Sequence, residues 1–241
     1  MLCGNISPEH ELSVCDNNEV IFIHLKNKLF LKTDNLKLLI YCGLTGPLFF
    51  IVSFCIQGIY KHGYSALLYP ISSLAIGENG WIQIVTFIVS GLLIFLFSIA
   101  VKKKLNHKLV AALLALVGIG LICAGIFITD PVFGFPENIP FIKIPFTLHG
   151  KLHTWFSLLV FLGIPVICFM MSKYFNLIKD QGWKYYSIAT GIIMLILFLF
   201  TGMAFNQLWG WKTIAGLLQR LCVITGFVWI SLFSIKLRTL Q

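Results

Sequence analysis

Six long apolar stretches alternate with short polar ones along this chain. They run from Leu36 to Ile59, Trp81 to Val101, Leu109 to Ile128, Leu152 to Met171, Tyr185 to Phe205 and Gly216 to Ile235. A helix rises about 1.5 Å per residue and the hydrocarbon layer is about 30 Å thick, so about 20 apolar residues cross it. Lipid offers the backbone no hydrogen-bond partner, so each stretch must be helical. The pattern predicts an all-α fold, a polytopic integral membrane protein with six transmembrane helices in one bundle over residues 36–241.

Residues 1–35 have a different pattern. Glu9, Glu11, Asp16 and Glu19 stand where a signal peptide would carry a basic start and an apolar core. The opening Met1-Leu2-Cys3-Gly4 lacks the second-position glycine of a myristoylation signal. This part reads as a cytoplasmic N-terminal extension. Within it, Val20–Leu31 is either a short amphipathic segment on the membrane surface or an apolar tether.

Composition supports the membrane class. Of the 241 residues 58% are hydrophobic and 11% charged, against about 25% charged in soluble domains. So few charges cannot cover a water-facing surface. The net charge of +9 does not point to nucleic acid, because the basic residues form short clusters between apolar runs rather than one solvated face. Membrane lipid is the expected partner; oligomeric state leaves no mark in the pattern. The seven cysteines form no C-x-x-C pair, and five lie inside apolar runs, so neither a disulfide framework nor thiol chemistry is expected.

Lys and Arg set the predicted orientation. One set of connections, with the chain ends, holds thirteen of them, including Lys102–Lys104, Lys108, Lys173, Lys179 and Lys184; the opposite set holds five. The richer side is cytoplasmic. The expected location is a cell membrane, multi-pass, with both termini cytoplasmic. The outer connections, Tyr60–Gly80, Thr129–Lys151 and Asn206–Ala215, then carry most of the prolines and the distinctive polar residues, and Trp81, Trp209 and Trp211 fit an outer aromatic belt. Pro47 and Pro165 inside spans read as kinks. Ala111/Ala115 and Gly120/Ala124 at i, i+4 allow close helix approach.

The candidate chemistry gathers on that outer face. Arg220 lies about one turn inside the boundary, where a guanidinium costs a few kcal/mol unless it snorkels or finds a partner. Asp130 and Glu78 are the carboxylates at matching depth, and Gln219 is placed to extend such a network. Asp130 ends the third span, at the negative end of the helix dipole, so a base, a metal or hydration should compensate it. Glu78 precedes span two, where an acid complements the dipole.

His149 and His153 share one helix face. With Asp130 or Glu78 they have the spacing for a zinc set, although the Glu of the metalloprotease motif is missing; interfacial hydrogen bonding is the ordinary reading. Ser72 and Ser73 need a base within hydrogen-bond reach to act as nucleophiles, which a sequence cannot show, and chance is the ordinary reading. The middles of the spans hold no Asp, Glu, Lys or His, which argues against a secondary transporter.

Several short motifs follow one another in a recognisable order. They are Gly63-Tyr64-Ser65, Ile71-Ser72-Ser73-Leu74, Gly80-Trp81-Ile82-Gln83, Thr129-Asp130-Pro131 with Gly134 and Pro136, His149-Gly150-Lys151-Leu152-His153, and Gly216-Leu217-Leu218-Gln219-Arg220. Their order and placement resemble the prokaryotic membrane family known as domain of unknown function 998, over about Leu36 to Ile235. The loop Glu137–Phe146 is longer than the resemblance leads one to expect. It implies six helices and one shared site for Asp130, His153 and Arg220, and it brings no activity, so the catalytic residues, if any, are unknown.

Two functional readings follow. The first is a non-catalytic membrane protein whose outer polar cluster (Glu78, Asp130, His149, His153, Gln219, Arg220) locks loops together or binds a lipid head group or other anion, with Arg220 as the anion contact. No cofactor belongs to it. The second is a metal-dependent intramembrane lipid hydrolase, with Zn²⁺ on His149, His153 and Asp130 or Glu78 activating water.

Overall fold

The computed structural model describes the backbone of residues 9–132, 134–136, 147–206 and 213–240, and side chains from residue 35 onward within these ranges. Its helices are α1 (Glu9–Tyr60), α2 (Gly80–Leu105), α3 (Lys108–Ile126), α4 (Leu148–Leu177), α5 (Gln181–Phe205) and α6 (Ala215–Thr239), with a 3₁₀ turn at Ile71–Ala75. Among the described residues six helices are long and apolar enough to cross a membrane, α1 through its stretch Asn35–Tyr60. The expected Glu137–Phe146 loop, Trp209 and Trp211 lie outside the described residues. Contacts divide the chain into Met1–Leu38 and Leu39–Gln241; the bundle belongs to the second unit. Val20–Leu31 is helical, within α1.

Consecutive helices from α2 to α6 pack as neighbours. The membrane stretch of α1 packs on both α2 and α6: the Phe50 ring lies 5.1 Å from Phe87 and 5.2 Å from Phe227. Small residues set the closest crossings. At the α2–α3 crossing a Cβ on Gly91 would stand 2.6 Å from the Gly118 carbonyl oxygen, and the converse holds for Gly118. A Cβ on Gly120 would stand 2.7 Å from the Phe156 carbonyl oxygen of α4, so this glycine does set a close approach. Trp229 is fully buried, stacks on Phe233 and donates from Nε1 to Ser187 Oγ at 3.1 Å, tying α6 to α5.

The helix ends differ from the apolar stretches where polar caps fix them. The α4 helix begins at Leu148, four residues before the apolar stretch, because Thr147 caps it, accepting from the Gly150 N–H at 3.1 Å. The α5 helix begins beyond Asp180, whose carboxylate accepts from the Trp183 N–H at 3.1 Å and pairs with Lys236 at 2.7 Å. At this lysine-rich end the connections are only a few residues long. The connections at the other end are long, and the candidate site lies beneath them.

Candidate functional site

The loop after α1 is bound to the start of α6. Residues 65–69 make a single turn, with Leu68 and Tyr69 N–H donating to the Ser65 carbonyl. Such a turn ends in carbonyls without backbone partners, a place that attracts a cation. Arg220 fills it: Nη1 donates to the carbonyls of Ala66 (2.6 Å), Tyr69 (3.0 Å) and Gly216 (3.0 Å), and Nη2 donates to the Tyr64 hydroxyl. The guanidinium also lies over the Phe54 and Tyr64 rings. Tyr64 passes its own proton on, donating to the Pro70 carbonyl at 2.9 Å. Burial pushes its phenol above the ordinary value, against the opposing pull of the Arg220 charge, so it stays a donor.

The neighbours of Arg220 complete this clamp. The Leu217 N–H donates to the Leu67 carbonyl at 3.1 Å, and Gln219 Oε1 accepts from the Ile71 N–H at 2.8 Å. Gly216 is necessary to it, since a Cβ there would stand 2.4 Å from the Tyr69 carbonyl oxygen.

Among the described residues Arg220 therefore has no carboxylate partner. Neither Asp130 nor Glu78 forms an ion pair with it; among the described residues its hydrogen bonds go to three carbonyls and a phenol. The expected Arg220–Asp130 or Arg220–Glu78 pair is corrected accordingly. The physical reason is that carbonyl dipoles crowded at a turn's end satisfy a planar fork of donors as well as one carboxylate does.

Asp130 makes the second clamp. Its Oδ2 accepts from the Thr147 N–H at 2.9 Å and its Oδ1 from the Thr147 hydroxyl at 2.6 Å. The carboxylate ends α3 in sequence but lies at the N-terminus of α4 in space, where the dipole favours it. The compensation is thus a helix start rather than the base, metal or hydration that the sequence led one to expect. Glu78 lies elsewhere: it is exposed, and the helix it precedes has Asn79 as its N-cap without a side-chain cap bond. Lys61 lies beside it and donates to the Leu74 and Glu78 carbonyls at 2.8 and 3.0 Å. Burial lowers the Lys61 ammonium from its ordinary value and the Glu78 charge partly restores it.

Phe135 joins the two loops. Its buried ring lies 5.4 Å from Tyr64 and 5.0 Å from Tyr69. The loop that Asp130 begins is thus packed on the loop that Arg220 holds, although the two charges never meet.

His153 and His149 separate. His153 is buried, and its Nδ1 stands 2.9 Å from both the Ala124 and the Phe127 carbonyl oxygens. His149 is exposed, with its ring against Phe127. Among the described residues no three His, Cys, Asp or Glu side chains gather to hold a metal ion. The zinc set of His149, His153 and Asp130 or Glu78 does not assemble there: one imidazole faces backbone carbonyls, Asp130 bonds to Thr147 through both oxygens, and Glu78 stands beside Lys61.

Beneath the two loops lies a cavity of about 340 Å³. Its walls are largely rings and aliphatic side chains, among them Phe87, Leu121, Phe161, Phe198 and Phe227. His153, Thr201 and Gln219 are among its polar lining residues, and Ser72 and Thr129 line it from the loops. Thr201 is 5% exposed, and its buried hydroxyl has no hydrogen-bond partner among the described residues. The cavity reaches the seam between α4 and α5, where the lining residues Thr154 and Gly202 are exposed.

Sequence reasoning missed Tyr64, Thr147 and Thr201. Thr147, three residues before Gly150, had the signature of an N-cap; Tyr64 stood in the motif Gly63-Tyr64-Ser65 without a role assigned to it, and Thr201 had no distinguishing signal. It also missed a polar ladder between α1 and α2, in which Ser53 and Thr86 hydroxyls lie 2.6 Å apart and Gln57 Nε2 donates to Gln83 Oε1 at 2.8 Å.

Six membrane-spanning helices, with loops clamped over an apolar cavity at one end, define a multi-pass α-helical membrane protein. A family model described as "Protein of unknown function (DUF998)" matches residues 44–236. The chain belongs to that family, as its motifs suggested. No curated protein and no solved structure matches it.

Proposed function

We propose that this protein is a non-catalytic membrane protein that binds a lipid amphiphile in the cavity beneath its long loops. One observation carries the reading. An apolar cavity of about 340 Å³ inside a membrane bundle is lined by a few polar residues, among them Gln219 and His153, whose imidazole is bonded among the described residues through Nδ1. Ligand sites are of this kind, clefts of about 300–1,000 Å³ with apolar walls and a few convergent polar groups. Arg220 and Asp130 serve the site indirectly by holding its roof, so Arg220 is not the anion contact.

The excess of lysine and arginine at the opposite end supports a cell-membrane orientation with both termini cytoplasmic. The cavity then opens in the outer leaflet, and the 1–35 extension lies on the cytoplasmic side. Labelling of single cysteines at His62 and Lys104 in intact cells tests this: a membrane-impermeant reagent should reach position 62 and not position 104.

Native mass spectrometry of the detergent-purified chain tests the binding itself. A lipid should remain bound at one per chain and be lost from Val223→Phe, which fills the cavity from α6, while the melting temperature shows the bundle intact. Equal lipid retention by the filled variant would overturn the reading.

A further inference from the structure

The polar groups of the cavity specify the head of its ligand, on the reading that the cavity binds an amphiphile. His153 Nδ1 stands 2.9 Å from two carbonyl oxygens. A carbonyl oxygen only accepts, so Nδ1 carries the proton. The remaining question is whether Nε2 carries a second one. A charged ring in a membrane-embedded wall needs a counter-ion in contact. Asp130, the carboxylate of the neighbourhood, bonds to Thr147 through both oxygens, and no Lys, Arg, Asp or Glu is among the described residues lining the cavity. The ring is therefore neutral, and Nε2 presents a lone pair.

One other group complements that acceptor. Gln219 uses Oε1 to accept from the Ile71 N–H, which leaves its amide NH₂ as a donor. A phosphate head would set an acceptor oxygen against the Nε2 lone pair and a charge in a wall with no countercharge. A hydroxyl donates to Nε2 and still accepts from an amide.

We infer that the cavity takes an uncharged, hydroxyl-bearing amphiphile of the monoacylglycerol class, one hydroxyl donating to His153 Nε2. The Gln219 amide binds the remaining polar atoms of the head, and the acyl chain lies along Phe161, Phe198 and Phe227.

The experiment uses the full chain in detergent micelles and two photoreactive probes with the same diazirine-bearing hydrocarbon chain. One is a monoacylglycerol, the other a long-chain phosphate monoester without a free glycerol hydroxyl. The monoacylglycerol should label peptides of α4 and α5 about tenfold more efficiently or better, the ratio expected when a buried acceptor meets a donor instead of another acceptor. In ¹⁵N-histidine spectra of the unmodified protein, His153 Nε2 should start as an unprotonated nitrogen. Added monoacylglycerol should move it toward the protonated range while Nδ1 stays put. Equal or stronger labelling by the phosphate probe, or a doubly protonated His153 ring, overturns the neutral head while leaving the cavity a lipid site. Labelling of α4 and α5 by neither probe overturns the lipid site itself, and this inference with it.

Discussion

Gly150 lies directly against the carboxylate of Asp130: a Cβ at position 150 would stand 1.9 Å from Oδ2 and 2.4 Å from Cγ. The first turn of α4 and the acid that caps it are thus fitted to each other. Gly150→Ala should force the carboxylate off Thr147 and lower stability by about 1.5–3 kcal/mol, the range for hydrogen bonds to a charged group. The same substitution should cost clearly less in an Asp130→Ala background, where nothing stands in the way. Thermal unfolding of the four proteins in micelles measures the difference. Fully additive losses would separate the two residues.

Arg220 should prove irreplaceable by lysine. A guanidinium reaches three carbonyls and the Tyr64 hydroxyl from one plane; an ammonium is a point donor on a flexible stem. Arg220→Lys and Arg220→Met should each destabilise the bundle, Met by about 2–5 kcal/mol because the Ala66 and Tyr69 carbonyls lose a partner. Protease cleavage between residues 61 and 75 should appear with them. In double-mutant cycles Arg220 and Tyr64 should couple, whereas Arg220 and Asp130 should add within about 0.5 kcal/mol. Strong coupling of the latter pair would mean that the two charges do meet.

Those two clamps also show what a sequence can and cannot disclose about this site. The spans are legible because the bilayer imposes a length of apolar chain, and Arg220 is legible as a charge below the boundary. Its partners are not, because they are backbone carbonyls, which every residue carries. Asp130 is similar: its need for compensation could be read, but its partner is the N–H and hydroxyl of Thr147, seventeen residues on. Depth alone made Glu78 look equivalent to Asp130; only the fold places one at a helix start and the other beside Lys61. His153 was legible as polar and interfacial, but the carbonyls of Ala124 and Phe127 that fix its tautomer come from another helix.

At the opposite end Asp180 should give the protein a small acid sensitivity. The hydrogen bond from Lys236 and then that from the Trp183 N–H hold its carboxyl below the ordinary value of 3.8. A folded-state pKa below the unfolded one means that the pair stabilises the fold above that value. The contribution is lost as pH falls through the lower, folded-state pKa. Melting temperature should therefore drop less steeply below about pH 4 in Lys236→Gln than in the unmodified chain. Both side chains are about a quarter exposed, so the difference should be small and should shrink with added salt. An identical acid limb in the two proteins would show that the pair contributes nothing.

Gly202 stands at the α5 edge of the cavity. It is exposed, lines the cavity on α5, and has nothing within 4 Å of the Cβ it lacks. The spans of α5 and α4 are the least buried of the six, at 28% and 33%, so on the proposed lipid reading an acyl chain should enter sideways through their seam. Gly202→Ala should stabilise α5 slightly, by about 0.5–1 kcal/mol, because alanine loses less backbone freedom in a helix; lipid capture should hardly change. Gly202→Trp should fold equally well, since space is available, yet block the seam. Photolabelling by a lipid probe should then slow several-fold at unchanged melting temperature. Unchanged labelling kinetics in Gly202→Trp would place the route through the clamped loops instead. In that case Arg220→Lys, which loosens the loop on α6, should speed exchange, and the two variants together decide between the paths.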